Sequence, residues 1–457
     1  MTYTIEKVTT LIGARRYGDR DGNVGFILTD SRSLCFPEET LFFALKSERN
    51  DGHNYIPELY RRGVRNFVVS QVPKGYASDY PEANFLKVVN TLEALQRLAE
   101  RHRDEFNIPI VGITGSNGKT MVKEWLHQLL SPSMFVTRSP RSYNSQIGVP
   151  LSVWLLNEQT QVGVFEAGIS QPGEMLALRD IIQPTIAVLT YLGAAHQENF
   201  ESLEAKCREK IILFHDADTI VYNGDDKTVS GVVNEYKDYK GEKLFWSFRD
   251  TKAPFFVKNV EKKGNLSIIT YIYKGEEDSY SLPFIDEASV TNSIIAAVVS
   301  RRLGLSAEEL DKRMALLEPV AMRLEVKEGQ HGCTLINDSY NSDINSLDIA
   351  LDFMSRRPDH KGRRHTLILS DIFQSGESAK DLYHEVSDLC RKRGVVKFIG
   401  IGPQLCSQSD EIQISEKFFF SNVEEFIDSE VFKSLRDEVI LLKGARQFGF
   451  DQLTELL

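Results

Sequence analysis

A run of small residues followed by lysine and threonine offers the clearest chemistry in the sequence. An apolar strand ends at Thr114, a glycine-containing turn covers 115–118, and Lys119 opens a helix. Small residues let backbone amides converge on phosphate oxygens, and the helix N-terminus adds partial positive charge. A lysine here can reach the β- and γ-phosphates, and a threonine hydroxyl can reach Mg²⁺. The pattern predicts an ATP and Mg²⁺ site formed by Thr114, Gly115, Ser116, Asn117, Gly118, Lys119 and Thr120.

The alternative for this segment is a glycine-rich turn that carries Gly-Lys-Thr by chance. The strict phosphate-loop pattern is not met, because Ile113 stands at its first glycine position. The strand before the turn and the helix after it nevertheless favour phosphate binding, since that context aims the amides at one point.

Two residues near predicted strand ends could supply metal ligands. Glu166 ends the strand VGVFE, and His196 follows the strand PTIAVLT. Parallel sheets place ligands beyond the carboxyl ends of their strands, and Mg²⁺ takes oxygen ligands. The alternatives are a solvated glutamate and a histidine that caps a helix or lies at the surface. A phosphate loop on a neighbouring strand favours the metal role for Glu166.

Two lysines four residues apart would share one helix face. Lys206 and Lys210 lie in SLEAKCREKIILFH, and Lys210 begins its apolar run. An ammonium beside Mg²⁺ would oppose the metal. A buried lysine loses its proton readily, and a neutral amine can take up CO₂ as an anionic carbamate. The alternative is an amphipathic helix with solvated lysines.

The elements that position these residues alternate between strand and helix. A helical pattern over 91–106 meets Asn107 and Pro109, which marks a boundary near residue 105. Strands and helices then alternate as in a parallel sheet covered by helices, with hairpin periodicity at 254–283. A second boundary falls near residue 317, before another alternation. We therefore predict an α/β fold with domains 1–105, 106–317 and 318–457.

Composition indicates a soluble, multidomain, cytoplasmic protein. The 457 residues are 42% hydrophobic and 26% charged, and the net charge of −11 argues against general nucleic-acid binding. No apolar run approaches the ~20 residues that span a bilayer. The five cysteines are scattered, which fits a reducing compartment better than disulfides or a zinc site.

The loop has the TGxNGKT form used by Mur ligases and folylpolyglutamate synthetases, and the chain resembles the Mur ligase family along nearly its whole length. The segments that carry the resemblance follow the family's order: TDSRSLCFPEETLFFAL, NDGHNYI, RSYNSQIGVPLSVWLL, FEAGISQPGEM, YLGAAHQENF, SLEAKCREKIILF, VYNGDD, VTNSIIAA, RLEV, INDSYNSDINSLDIAL, LILSDIFQSGESAKDLYHEV and VILLKGARQF. The chain departs from the family at 286–289, where relatives carry Gly-x-His-Asn, and at Asn345, Ser370 and Ser375.

The resemblance implies a central parallel-sheet ATPase domain, flanked by an N-terminal UDP-substrate domain and a C-terminal Rossmann-like domain. It implies ligation through an acyl phosphate, with ATP and Mg²⁺. The last-domain motifs are similar to those of the branch that adds D-alanyl-D-alanine to a UDP-linked muramoyl tripeptide for peptidoglycan. Some relatives carry this ligase fused to an alanine racemase, which makes a second enzyme beyond Leu457 an expectation.

The same resemblance implies roles for individual residues. Catalytic roles fall to Lys119, His196 and Lys210, and the metal would be held by Thr120, Glu166, His196 and a carbamate on Lys210. Further ATP contacts are implied for Asn292 on the adenine side, Arg323 at the phosphates and Asp338 at the ribose or hinge. Substrate contacts are implied for Ser31, Arg32, Asn144, Gln146, Lys443 and Arg446. Helix capping explains Asn144 equally well, and sheet capping explains Lys443 and Arg446.

Three other functions stay open. A sister ligase that adds the third amino acid usually carries a DNPR stretch, which this chain lacks. A folylpolyglutamate synthetase lacks the N-terminal domain that the DSR and DGH segments indicate. A non-catalytic nucleotide-binding or scaffolding subunit would not need Lys119, Thr120, Glu166, His196 and Lys210 together.

Overall fold

The computed structural model describes the chain at residues 2–48, 50–193, 197–237, 239–320, 324–339, 342–356, 362–372, 378–445 and 448–457. The chain forms two compact units. The first comprises Met1–Gly112, Ser133–Ile169 and Gly173–Ile186, and the second comprises Ile113–Pro132, Ser170–Pro172 and Ala187–Leu457. Strands and helices alternate in three successive stretches of the chain, which confirms the predicted α/β class. The boundaries near 105 and 317 stay predictions.

The first stretch builds a five-stranded sheet within the first unit. Its strands and helices are β1 Tyr3–Thr4, α1 Ile5–Leu11, β2 Arg15–Tyr17, β3 Asn23–Val24, β4 Phe26–Leu28, β5 Thr40–Phe43, α2 Ile56–Arg61, β6 Asn66–Val69, α3 Tyr76–Asp79, β7 Asn84–Lys87 and α4 Thr91–Arg103. The order is β2-β7-β6-β5-β4, parallel except for β2. β5 and β6 are buried throughout, as expected for parallel strands covered on both faces. Asn90 begins α4 by accepting hydrogen bonds from two first-turn amides.

The middle stretch carries the predicted phosphate loop. Its elements are β8 Ile110–Thr114, α5 Lys119–Leu130, β9 Val136–Arg138, α6 Gly148–Val153, β10 Val162–Glu166, α7 Glu174–Ile182, β11 Ile186–Leu189, α8 Leu203–Ile211, β12 Thr219–Asn223, α9 Lys227–Glu235, β13 Glu242–Ser247, β14 Phe255–Lys263, β15 Leu266–Tyr273, β16 Glu276–Leu282, α10 Glu287–Arg302 and α11 Ala307–Met314. β14, β15 and β16 are antiparallel, which confirms the hairpin periodicity over 254–283. Alternate residues of β15 are buried from Ser267 to Tyr273, since one face of this hairpin packs inward.

The last stretch builds a six-stranded sheet within the second unit. Its elements are β17 Glu325–Glu328, β18 Thr334–Asp338, α12 Ile344–Arg356, β19 Arg364–Ser370, α13 Ala379–Lys392, β20 Lys397–Ile401, α14 Pro403–Ser407, β21 Glu416–Phe420, α15 Val423–Asp428, α16 Glu430–Lys433, β22 Glu438–Lys443 and α17 Asp451–Leu456. The order is β17-β18-β22-β19-β20-β21, parallel except for β17. This order places the carboxyl ends of β18 and β22, far apart in the chain, side by side.

Among the helices that the structure describes, none combines the length and the apolar character that crossing a membrane would require.

Candidate active site

The turn after β8 has a backbone conformation that glycine makes accessible. Gly115 has φ +141° and Gly118 has φ +88°, values that side chains disfavour. A Cβ atom on Gly115 would lie 2.1 Å from Thr190 Oγ1. Gly118 directly precedes the first turn of α5, whose amides have no partners within the helix. The loop therefore ends on donors that suit an anion.

Residues after β11 hold this turn in place. Ser116 donates its amide to the carbonyl of Tyr191 at 2.6 Å, and its hydroxyl accepts from the amide of Gly193 at 3.0 Å. Thr190 Oγ1 donates to the carbonyl of Asn117 at 2.5 Å. Residues 190–193 therefore pack against the phosphate loop and hold its conformation. The sequence offered one signal for them, their position directly after an apolar strand, but it did not single out Thr190 or Gly193.

Two lysine amines converge on one carbonyl of the loop. Lys119 Nζ donates to the carbonyl oxygen of Gly115 at 2.6 Å and to that of Ser116 at 3.2 Å. Lys210 Nζ, reaching from α8, contacts the same Gly115 oxygen at 3.4 Å. Two ammonium groups at one oxygen would repel each other in a poorly solvated site.

The environment of Lys210 favours its neutral amine. The residue is only 3% exposed. Burial, followed by the nearby charges of Lys119 and Lys206, holds the pKa of Lys210 well below its usual range. Lys210 is buried, so the alternative of a solvated lysine is wrong, while the carbamate stays a prediction. A neutral amine at this position fits the chemistry of carbamate formation.

Other predicted ATP contacts lie at the same loop. Asn292 on α10 places its Oδ1 so close to Gly118 that a Cβ on the glycine would be 2.5 Å away. Thr120 is the second residue of α5 and is half-buried. Within the described residues, the buried atoms Asn117 Nδ2 and Thr114 Oγ1 have no hydrogen-bond partner. Polar atoms of this kind and a turn that admits no Cβ fit the binding of a phosphate chain.

In the first unit, Asn144 and Glu166 form a second group of predicted site residues. Glu166 is the last residue of β10 and is fully buried, and Asn144 Nδ2 donates to its Oε2 at 3.4 Å. The helix that follows Asn144 is α6, and Ile147 rather than Asn144 occupies its N-cap. Capping is therefore not the role of Asn144. The carboxylate oxygens of Glu166 are ligands of the type that Mg²⁺ prefers.

Gln146 and the N-terminal pair lie elsewhere in the first unit. Gln146 Nε2 donates to the carbonyl of Glu174 at 3.0 Å, and its Oε1 accepts from Gln96 at 2.9 Å. Arg32 folds back on Asp30 with a 2.6 Å ion pair and keeps its side chain 87% exposed. The carbonyl of Ser31 accepts from Arg62, which directly follows α2. Arg32 is thus an exposed cation, held by a turn that Asp30 caps.

Asp338 and Lys443, which the sequence assigned to different substrates, contact each other in the second unit. They end β18 and β22 in register, and Lys443 Nζ donates to Asp338 Oδ2 at 2.6 Å. Three other assigned positions lie outside the described residues, namely His196, Arg323 and Arg446. Tyr340 and Asn341 of the INDSYN segment and Ser375, a departure from the family, lie outside them as well.

Comparisons with known proteins show which family the chain is similar to. The sequence model of the Mur ligase middle domain matches residues 113–300. A curated ligase of Bacillus subtilis (strain 168) is 28% identical over 79% of this chain and 76% of its own length. A second, from Buchnera aphidicola, is 26% identical over 100% of this chain and 98% of its own length. A crystal structure of MurF from Acinetobacter baumannii covers 100% of this chain and 99% of its own, with 21% identity and a TM-score of 0.84.

Residues 113–300 match the Mur ligase middle domain, and the chain is similar in sequence to ligases of that family over most of its length. Within that family it is like the branch to which the two curated relatives belong, since both are named UDP-N-acetylmuramoyl-tripeptide–D-alanyl-D-alanine ligase. A MurF ligase of Thermotoga maritima, solved in complex with ADP, shares the fold with a TM-score of 0.77 and 22% identity over 94% of this chain and 96% of its own.

Proposed function

We propose that this protein joins D-alanyl-D-alanine to UDP-N-acetylmuramoyl-tripeptide with ATP, in peptidoglycan precursor synthesis. The γ-phosphoryl group of ATP passes to the terminal carboxylate of the tripeptide, which gives an acyl phosphate and ADP. The amine of the dipeptide attacks the acyl carbon, and phosphate leaves from the tetrahedral intermediate. The observation that carries the proposal is the convergence of Lys119 and Lys210 on Gly115, in a chain that aligns almost end to end with ligases of this activity.

Lys119 is the cation that faces the transferring phosphoryl group. Its ammonium lies within hydrogen-bond distance of two carbonyl oxygens of the loop, those of Gly115 and Ser116. Phosphoryl transfer depends on positioning and on electrostatic stabilisation of the charge that spreads over the phosphoryl oxygens. The amides at the start of α5 add donors that need no reorganisation during the reaction.

A carbamate on Lys210 completes the metal site in this proposal. Thr120, Glu166, His196 and the modified Lys210 would hold Mg²⁺, which supplies positive charge to the ATP phosphates when it is bound. Lys210 suits the modification because it is buried and its neutral amine is favoured. Conversion of an amine to a carbamate also replaces a potential positive charge with a negative one, which aids a divalent ion.

The substrate contacts follow the family positions. Ser31 and Arg32 would hold the uridine end, and Arg32 is exposed and available to an anion. Asn144 and Gln146 would face the muramoyl peptide. Lys443 and Arg446 would meet the dipeptide carboxylate, with Asp338 and Arg323 on the ATP side. We place the reaction in the cytoplasm, where ATP and the UDP-linked peptide occur together, and fusion to an alanine racemase stays a prediction.

The test is phosphate release against a panel of acceptors, with product mass as a second readout. We expect ADP and phosphate only when UDP-muramoyl tripeptide and D-Ala-D-Ala are both present. Equal turnover of a UDP-muramoyl dipeptide with a single diamino acid would move the chain to the sister branch. Turnover of a folate with glutamate, or ATP hydrolysis without either substrate, would contradict the proposal.

A further inference from the structure

One buried threonine contacts both ends of the phosphate-loop turn. Thr190 directly follows β11 and is 4% exposed. Its amide donates to the carbonyl of Thr114 at 2.9 Å, and its hydroxyl lies 3.2 Å from the same oxygen. The hydroxyl also donates to the carbonyl of Asn117 at 2.5 Å. Thr190 therefore holds the carbonyl before the turn and the carbonyl before the last residue of the turn.

Each of these two carbonyls shares a peptide plane with the amide of a glycine. Both peptide bonds are trans, so the C=O and the N–H of each plane point in opposite directions. Because the carbonyls of Thr114 and Asn117 face Thr190, the amides of Gly115 and Gly118 face away from it. Amides that a glycine turn directs outward at the start of a helix are the donors that bind phosphate.

The side chain of Thr190 also packs against both glycines. A Cβ atom on Gly115 would lie 2.1 Å from Thr190 Oγ1, and one on Gly118 would lie 3.4 Å from Thr190 Cβ. Valine has almost the shape of threonine but has no donor. The packing therefore needs only the volume of the side chain, whereas the contact with Asn117 needs its hydroxyl.

We propose that Thr190 is a positioning residue for the phosphate loop. Its hydroxyl holds the carbonyl of Asn117 and so directs the amide of Gly118, together with that of Gly115, toward the polyphosphate. Thr190 acts through the backbone of the loop and touches neither ATP nor the metal. The proposal rests on the proposed function, because it takes this loop as the ATP site.

Thr185 provides a matched control at the opposite end of the same strand. It directly precedes β11 and is half-buried, and its hydroxyl accepts from the amide of Ile110 at 2.9 Å and lies 3.3 Å from the Ile110 carbonyl. This threonine also joins β11 to β8 through its hydroxyl, but it does so at the start of β8 and not at the loop. Thr185→Val consequently measures the structural cost of losing such a contact.

The test compares Thr190→Val, Thr190→Ser and Thr185→Val. Calorimetry measures the affinity for ADP and for tripolyphosphate without metal, and urea unfolding midpoints measure stability. We expect Thr190→Val to lose about 10-fold in affinity for both ligands, the scale of one hydrogen bond whose loss leaves its acceptor without a donor. Thr190→Ser, which keeps the hydroxyl, should bind both ligands nearly as the wild type does.

Thr185→Val should lower the unfolding midpoint about as much as Thr190→Val and leave both affinities unchanged. This difference separates a positioning role from a structural one, since a structural role predicts the same binding in the two valine variants. Wild-type affinity for ADP and tripolyphosphate in Thr190→Val would overturn the proposal. An equal loss of affinity in Thr185→Val would overturn it as well.

Two further measurements keep the test decisive if Thr190→Val fails to fold. Thr190→Ala also removes the hydroxyl, without placing a methyl group against the Asn117 carbonyl, and should show the same loss of ADP affinity. In wild-type enzyme labelled with ¹⁵N-glycine, ADP should shift the amide resonances of Gly115 and Gly118, and resonances that do not move would contradict the proposal. Failure of the proposed function is seen separately, as an absence of ligated product from wild-type enzyme that binds ADP.

Discussion

Lys443 Nζ and Asp338 Oδ2 form a 2.6 Å ion pair where β22 and β18 end side by side. The Lys443 side chain is fully buried and that of Asp338 is 8% exposed. The family positions assign Lys443 to the dipeptide carboxylate and Asp338 to ATP. The pair links those two assignments, because a substrate carboxylate that reaches Lys443 must share the ammonium with Asp338.

We expect Lys443→Met to destabilise the second unit by about 3–5 kcal/mol, since it leaves a buried carboxylate without its partner. Asp338→Asn combined with Lys443→Met should cost less than the sum of the two single changes. Urea unfolding midpoints measure both effects. The control is Lys433→Met, which removes an exposed lysine paired with Glu430 and should leave the midpoint nearly unchanged. Additive losses in the double variant would show that the two side chains act independently.

Local sequence predicted the turn of the phosphate loop and the burial of Lys210 because both depend on neighbours in the chain. The glycines and the strand-to-helix change specify the turn, and the apolar run after Lys210 specifies its burial. The hydrogen bond from Lys206 to the carbonyl of Gly193 depends on how α8 packs against the phosphate loop, which residue types do not encode. The Asp338–Lys443 pair depends on strand order, since β22 inserts between β18 and β19.

Gly115→Ala should abolish nucleotide binding without unfolding the chain. The new Cβ would lie 2.1 Å from Thr190 Oγ1 and 3.1 Å from the Tyr191 backbone, so the loop must shift. Gly304→Ala is the matched control, because Gly304 also has positive φ, +101°, but open space around it. The control therefore measures only the loss in free energy of unfolding that a side chain causes at positive φ, about 1 kcal/mol. Calorimetry with ADP measures the effect, and wild-type ADP affinity in Gly115→Ala would contradict the role of the loop.

Lys119→Ala should remove turnover and leave the fold intact. Lys119 is the half-buried first residue of α5, so its loss should shift the unfolding midpoint little. Loss of one group that stabilises transition-state charge lowers kcat by about 10²–10³-fold or more. Stopped-flow phosphate release measures kcat, and circular dichroism checks the fold. A near-normal kcat would mean that the loop does not hold the ATP phosphates.

His102 should make the first unit less stable in acid. Its Nε2–H donates to the carbonyl of Leu156 at 3.0 Å, which leaves Nδ1 to accept from the Tyr3 hydroxyl at 2.8 Å. Burial lowers the pKa of His102 to about 4. The unfolded chain, with a histidine pKa near 6.5, binds the proton first, so stability is complete above about pH 6.5 and falls toward pH 4.

The loss should reach about 3 kcal/mol by pH 4, as the shift of the His102 pKa converts by linkage. Chemical denaturation of wild type and His102→Gln at several pH values between 7 and 4 measures it. The difference between the two proteins should shrink as pH falls, because glutamine does not titrate. A parallel pH dependence in both would assign the acid sensitivity to other groups.

Lys210→Ala should be nearly inactive, and a small carboxylate should restore part of the activity. The wild-type side chain is buried at the Gly115 carbonyl, and its neutral amine is favoured there. Alanine removes the proposed carbamate and leaves space that formate or acetate can enter as a replacement anion for Mg²⁺. Phosphate release with increasing formate measures the rescue, with chloride at equal ionic strength as the control. Lys210→Arg, a fixed cation, should gain nothing from formate.

Carbon-13 NMR of wild-type enzyme in labelled bicarbonate should show a carbamate carbon that is missing from Lys210→Ala. Normal turnover in Lys210→Ala, together with no carbamate signal in the wild type, would leave Lys210 a buried structural amine.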